Sequence, residues 1–135
     1  MSLPLTASPP VITALYGALN AILNIFLASR VSTARRKEKV SIGHGESPGL
    51  LVAIRVHANN AEFVPLAIVM LMLAELCGGS SSVLHVIGGL LFVARLAHVI
   101  GMPLKAPNVW RVFSVASTWG VIVGTSAYVL WLRSH

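Results

Sequence analysis

The chain has 135 residues, of which 56% are hydrophobic and only 10% charged. Its mean hydropathy is +0.81. Soluble domains run near 25% charged, and a water-facing bundle made from this sequence would have nothing to turn toward solvent, so the composition selects an integral membrane protein of a single domain. The net charge of +6 does not point to nucleic acid, because five of the ten basic residues (Arg30, Arg35, Arg36, Lys37, Lys39) cluster beside one apolar segment, as the positive-inside rule describes.

The N-terminal residues carry no basic n-region, so no cleaved signal peptide is expected. Pro9 and Pro10 suit a helix start, and the first transmembrane helix is expected over about 10–32. Asn20 and Asn24 share a face at i, i+4, a spacing that suits interhelical hydrogen bonding. The charged stretch Arg35–Ser47 reads as a loop. Ser47 as N-cap and Pro48 at the first helical position open a second helix over about 48–76. Pro65 inside it is expected to kink it.

That second helix holds the sequence Arg55-Val56-His57-Ala58-Asn59-Asn60-Ala61-Glu62-Phe63-Val64-Pro65. A charge near mid-membrane costs roughly 2.5–3.5 kcal/mol on insertion scales, so such residues usually face the bundle interior and have a task. Arg55, Asn59 and Glu62 fall at i, i+4, i+7 on one helical face. Arg55 and Glu62 are then about 10 Å apart along the axis. They could hold opposite ends of one zwitterionic ligand about three extended residues long.

Cys77 to Ser82 forms a short uncharged turn, and a third helix is expected over about 81–104. In it Gly88 and Gly89 permit close backbone approach. Arg95 and His98 share a face near its end. A Pro-containing turn at 102–107 leads to a fourth helix over about 108–132. Here Ala116, Gly120 and Gly124 read as a small-residue packing stripe. Seven basic residues (the five above with Lys105 and Arg111) lie on one side of the four spans, which places both termini outside the cytoplasm. Arg55 and Asn59 begin the second helix and Arg95 and His98 end the third, so all four sit at one depth. Three or four arginines then surround one deep carboxylate, Glu62, and the excess positive charge calls for an anion.

Four short helices, Arg-x-His-x-Asn-x-x-Glu-Phe-x-Pro on the second and Arg-x-x-His-x-x-Gly on the third, resemble the MAPEG family, the membrane-associated proteins in eicosanoid and glutathione metabolism. The likeness covers essentially the whole chain and is greatest to short bacterial members. It implies an all-α four-helix membrane bundle assembled as a homotrimer, with glutathione between adjacent subunits near the cytoplasmic face. It implies that Arg55 meets a glutathione carboxylate, that Asn59 hydrogen-bonds the peptide and that Glu62 takes its α-amino group. His57 stands where relatives carry Gln or His. Arg35 and Arg95 match arginines of the first and third helices, and His98 lies in the same zone. Arg111 is the match to the fourth-helix arginine that stabilises the thiolate.

Well-studied eukaryotic relatives carry tyrosines where this chain has His98 and Met102. The extra arginine of the prostaglandin-E synthases is Ala58 here, so that isomerase activity is not expected. The implied function is a glutathione-dependent transferase or peroxidase acting on lipophilic electrophiles, with glutathione as co-substrate, no metal, and an inner-membrane location. The alternatives are a non-catalytic lipid-binding protein on the same scaffold and a purely structural bundle. One cysteine, Cys77, excludes an intrachain disulfide. His44, His85 and Glu75 read as loop or interfacial residues.

Overall fold

The computed structural model describes residues 8–134. The N-terminal segment read above for a signal sequence falls mostly outside them. Four helices follow in order: α1 Val11–Glu38, α2 Pro48–Leu76, α3 Ser81–Gly101 and α4 Val109–Arg133. Each is long and apolar enough to cross a membrane. They pack as a bundle in which α3 lies against α4 and α1 against α2, with α2 touching all three others.

The helix ends follow local chemistry. Ser47 caps α2, its Oγ accepting from Leu50 N at 3.3 Å, and Pro48 opens the first turn. Asn108 caps α4 by accepting from Arg111 N at 3.0 Å. Two boundaries differ from expectation. The first helix continues to Glu38 because Ala34, Arg35, Arg36, Lys37 and Glu38 are good helix formers whose charges leave the membrane as a rod. It stops where Lys39 adopts the left-handed conformation (φ 54°) and its N–H reaches back to the Arg35 and Arg36 carbonyls. The third stops at Gly101: Met102 still donates its N–H to His98 O at 3.0 Å, and Pro103, next in line, has no N–H with which to extend the ladder. The second helix runs helical through Pro65 to Leu76.

At the end of the bundle away from the basic loop, two sets of long-range contacts tie α1 to its neighbours, and Ser80 N donates to the Tyr128 hydroxyl at 2.9 Å to join α3 to α4. Pro10 offers α1 no side-chain cap. Glu75, from the end of α2, supplies one instead: Oε1 accepts from Ile12 N at 2.9 Å, and Oε2 from Thr13 N and Thr13 Oγ1, both at 2.7 Å. A carboxylate at a helix N-terminus also meets the positive end of the helix dipole. Glu75 is therefore a cross-helix cap rather than a merely interfacial residue. Glu75→Gln puts an amide donor against backbone donors and is expected to cost about 1–3 kcal/mol. Thermal unfolding of the reconstituted protein measures it, and an unchanged midpoint would remove this role.

The second contact is Tyr16 with His85. The Tyr16 hydroxyl lies 3.1 Å from both His85 Nδ1 and His85 O, and the two rings meet edge to face. The Tyr16 ring passes over Gly88, where an added Cβ would sit 2.1 Å from Cδ2. The close approach expected at Gly88 is thus to an aromatic ring of α1. Gly88→Ala must push Tyr16 aside. A loss of about 1–3 kcal/mol is expected from the overpacking, with Tyr16→Leu relieving it in the double variant; equal stability of Gly88→Ala and wild type would contradict the packing.

The fourth helix is seated differently from the expected small-residue stripe. Its buried residues are Ser114, Thr118, Val121 and Thr125, spaced i, i+4, i+7, i+11. The hydroxyls of Thr118 and Thr125 donate to the carbonyls four residues back, at 2.7 and 2.6 Å, so polar side chains enter the core satisfied. Gly120 and Gly124 face open space. Ala116, Gly120 and Gly124 therefore do not pack inside the protomer.

Candidate functional site

The groove between α2, α3 and α4 gathers most of the charged residues that the sequence places at one depth. Arg55 lies seven residues into α2 and Arg95 six residues before the end of α3, so each is about 10 Å along its helix from the same end of the bundle. Arg55, Asn59, Glu62 and Phe63 from α2, Arg95 from α3, and Val115, Thr118 and Trp119 from α4 line one cleft of about 280 Å³.

Arg95 is its fixed point. Its side chain is 1% exposed. Nη1 donates to Asn59 Oδ1 at 2.9 Å, and Nη2 to Ser114 O at 3.3 Å and to the Thr118 hydroxyl. Thr118 passes its own proton to Ser114 O. No carboxylate is among these partners, and Nε–H has none. A buried guanidinium held by neutral oxygens keeps its full positive charge facing the cleft. Removing a charge from water is costly without a counter-ion, so the arrangement is suited to an anion arriving from outside.

Arg55 and Glu62 are exposed on the cleft wall, and neither hydrogen-bonds nor ion-pairs with another described residue. One wall therefore presents a free guanidinium and a free carboxylate two turns apart, with Asn59 between them and a buried cation behind. A molecule carrying both signs of charge is the complement of that row.

The other sequence candidates lie elsewhere. Arg111 directs Nε to Gly101 O at 3.1 Å and Nη2 to Met102 O, so it closes the carbonyl end of α3; Nη1 is uncommitted. His98 is buried at 5% exposure, with Nδ1 3.2 Å from Ser114 Oγ. Ser114 Oγ also donates to Arg111 O at 3.0 Å. Ser114 Oγ thus lies between His98 Nδ1 and Arg111 O, and the buried His98 Nε2 has no hydrogen-bond partner among the described residues. Arg35 donates from Nη1 to Gly43 O at 2.7 Å and ties the long α1 to its following loop. His57, on α2, is partly exposed and does not line the cleft. Within one protomer, Arg55, Asn59, Glu62 and Arg95 meet; Arg35, His57, His98 and Arg111 do not join them in the cleft lining.

Thr118 and Trp119 were not read from the sequence as site residues. A threonine in an apolar helix is silent until its neighbour is known to be an arginine. Asn24 and Asn60 do bridge α1 and α2, with Asn60 Nδ2 donating to Asn24 Oδ1 at 3.1 Å, whereas Asn20 bonds its own helix at Tyr16 O. No group of three or more His, Cys, Asp or Glu side chains suited to a metal occurs among the described residues.

Fold and cleft together define a small multi-pass membrane bundle with a cation-rich polar groove opening on one flank. The chain belongs to the MAPEG family, whose family model matches residues 13–131. It is 31% identical over 120 residues to the inner membrane protein YecN of Escherichia coli K12, covering 89% of this chain and 91% of that protein. The corresponding YecN of an Escherichia coli O6:H1 strain matches to the same extent. Membership places the chain among membrane proteins of glutathione and eicosanoid metabolism.

Proposed function

We infer that this protein binds glutathione in the α2–α3–α4 groove and uses its thiolate against lipophilic electrophiles dissolved in the bilayer, as a transferase or peroxidase. The observation that carries the reading is the row of Arg55, Asn59 and Glu62 backed by Arg95, a buried cation with no carboxylate partner. Glutathione has two carboxylates and one ammonium; guanidinium forks suit the former and Glu62 the latter.

A thiol of pKa near 8.5 is about 3% ionised at pH 7. Lowering it by two units takes about 2.7 kcal/mol of preferential stabilisation of the thiolate. The family resemblance assigns that task to Arg111, which lies outside the groove lining of its own protomer and has Nε and Nη2 on the Gly101 and Met102 carbonyls, leaving Nη1 for the sulfur. In the transferase reaction the sulfur forms a bond to carbon as the leaving group departs with the electron pair. In the peroxidase reaction the thiolate takes one oxygen from a hydroperoxide, releasing an alcohol. A second glutathione then forms the disulfide and water leaves.

The functional unit in this reading is a homotrimer in the bacterial inner membrane, with both termini outside the cytoplasm. A neighbouring copy covers the exposed flank of the groove, where Arg55, Glu62 and Trp119 are exposed, and brings its own Arg35 and His57 toward the ligand. The open faces of Gly120 and Gly124 suit close approach of another helix.

The test is turnover of a chromogenic aryl halide with glutathione by the full chain reconstituted in lipid. Glutathione-dependent conjugation is expected, with Arg111→Ala lowering kcat about tenfold or more and reducing the ultraviolet thiolate signal of bound glutathione. An intact thiolate signal in that variant would remove Arg111 from the role. Binding without turnover would favour a non-catalytic lipid-binding protein on this scaffold. One observation favours that second reading: His98 and Met102 replace the tyrosines of eukaryotic relatives, and His98 is already engaged with Ser114.

A further inference from the structure

A second cavity, of about 350 Å³, lies between α1, α2 and α3 at the basic end of the bundle, on a different face of α2 from Arg55 and Glu62. Its walls are apolar: Leu27 from α1, Val52 and Val56 from α2 and Val99 from α3, with Gly49 at its upper edge. Arg30 is the one charged residue among those lining it. We propose that this cleft binds a single-chain carboxylate amphiphile of the fatty-acid type, its chain between the three helices and its head on Arg30.

Depth, charge and size support this occupant. Arg30 is nineteen residues after Val11, the start of α1, which is about 28 Å along the axis. The hydrocarbon layer is ~30 Å thick, so the guanidinium sits at the level where a carboxylate head in the same leaflet resides. Below it, Val56 lies eight residues into α2, about 12 Å deeper than the helix start, and the walls between are hydrocarbon.

The charge at the mouth is unmatched. Arg30 has neither a hydrogen bond nor an ion pair to another described residue. The carboxylates of this end, Glu38 and Glu46, line a separate hollow with His44. Arg35, the nearest further arginine on α1, is committed to Gly43 O. A volume of 350 Å³ is at the small end of ligand pockets, too small for a two-chain phospholipid to enter whole. The cleft is bounded by three helices of one protomer, so it does not depend on a neighbouring copy. It is also separate from the α2–α3–α4 groove, with which it shares no lining residue.

The test uses the full chain in nanodiscs of zwitterionic phosphatidylcholine, with a photoactivatable fatty acid and the alcohol of the same chain length as probes. Cross-linked peptides are mapped, and glutathione binding is titrated on the same samples. The fatty acid is expected to label α1, α2 and α3 around Leu27, Val52 and Val99, about tenfold more than the alcohol, as befits one charge-assisted contact. Arg30→Gln should erase that preference. Val52→Trp should fill the cleft and remove labelling there. Both variants should leave glutathione binding unchanged, which separates this proposal from the one above. Equal labelling by acid and alcohol, labelling spread over the outer faces of α1 and α4, or labelling that survives Val52→Trp would each overturn it. Protection of the cleft from both probes would mean that another copy of the chain covers it, and would overturn it too.

Discussion

Arg95→Met abolishes glutathione binding, with affinity falling at least about a hundredfold, while the protein stays folded in lipid. The two halves of this expectation have one cause. Arg95 is buried without a carboxylate, held by Asn59, Ser114 O and Thr118. Replacing a buried charge by an apolar side chain of similar length is often neutral or stabilising, because the desolvation cost vanishes with it. The acceptors it leaves are not stranded: Ser114 O keeps the Thr118 hydroxyl at 2.7 Å, and Asn59 opens on the cleft. For an anionic ligand the loss is large, since truncating one member of a buried charge pair costs about 2–5 kcal/mol. Arg95→Lys is not expected to rescue it, because one ammonium cannot span Asn59 and Thr118 as the guanidinium fork does. Unfolding of Arg95→Met, together with unchanged binding by any folded fraction, would make Arg95 internal glue and nothing more.

Glu62→Gln is the second large effect. Glu62 makes no hydrogen bond or ion pair with another described residue, so its removal should leave thermal stability within about 0.5 kcal/mol, as for surface substitutions away from structural features. Glutathione affinity should fall roughly 30-fold or more, through loss of the ammonium contact. A glutathione analogue lacking the α-amino group should bind wild type and variant alike, because the partner of Glu62 is already gone. That cycle isolates the pair from any general disturbance of the groove. Loss of stability without loss of affinity would support the structural-bundle reading.

The four spans were legible because each is a long apolar run bounded by Pro, Gly or charge, and the bilayer sets a single length scale. The row Arg55, Asn59, Glu62 was legible because helical periodicity alone puts it on one face. Arg95 joined it through a depth argument, which needs only the alternating direction of successive helices. Contacts across helices were not legible. Glu75 caps α1 over 63 residues, and nothing local distinguishes it from an interfacial glutamate. On α4 the small residues Ala116, Gly120 and Gly124 gave a packing pattern that is correct for helix contacts in general. The protomer instead buries the face of Ser114, Thr118 and Thr125, because Arg95 and His98 need oxygen partners there. Arg111 illustrates the same limit: its position near the turn was evident, its hydrogen bonds to Gly101 O and Met102 O were not.

The central claim is that a row of fixed charges inside a membrane bundle receives a small zwitterionic thiol peptide. Equilibrium calorimetric titration of the lipid-reconstituted full chain with glutathione tests it most directly. Saturable binding that weakens with added salt and collapses in Glu62→Gln is the expected result. A flat titration of folded wild-type protein at millimolar glutathione would contradict it.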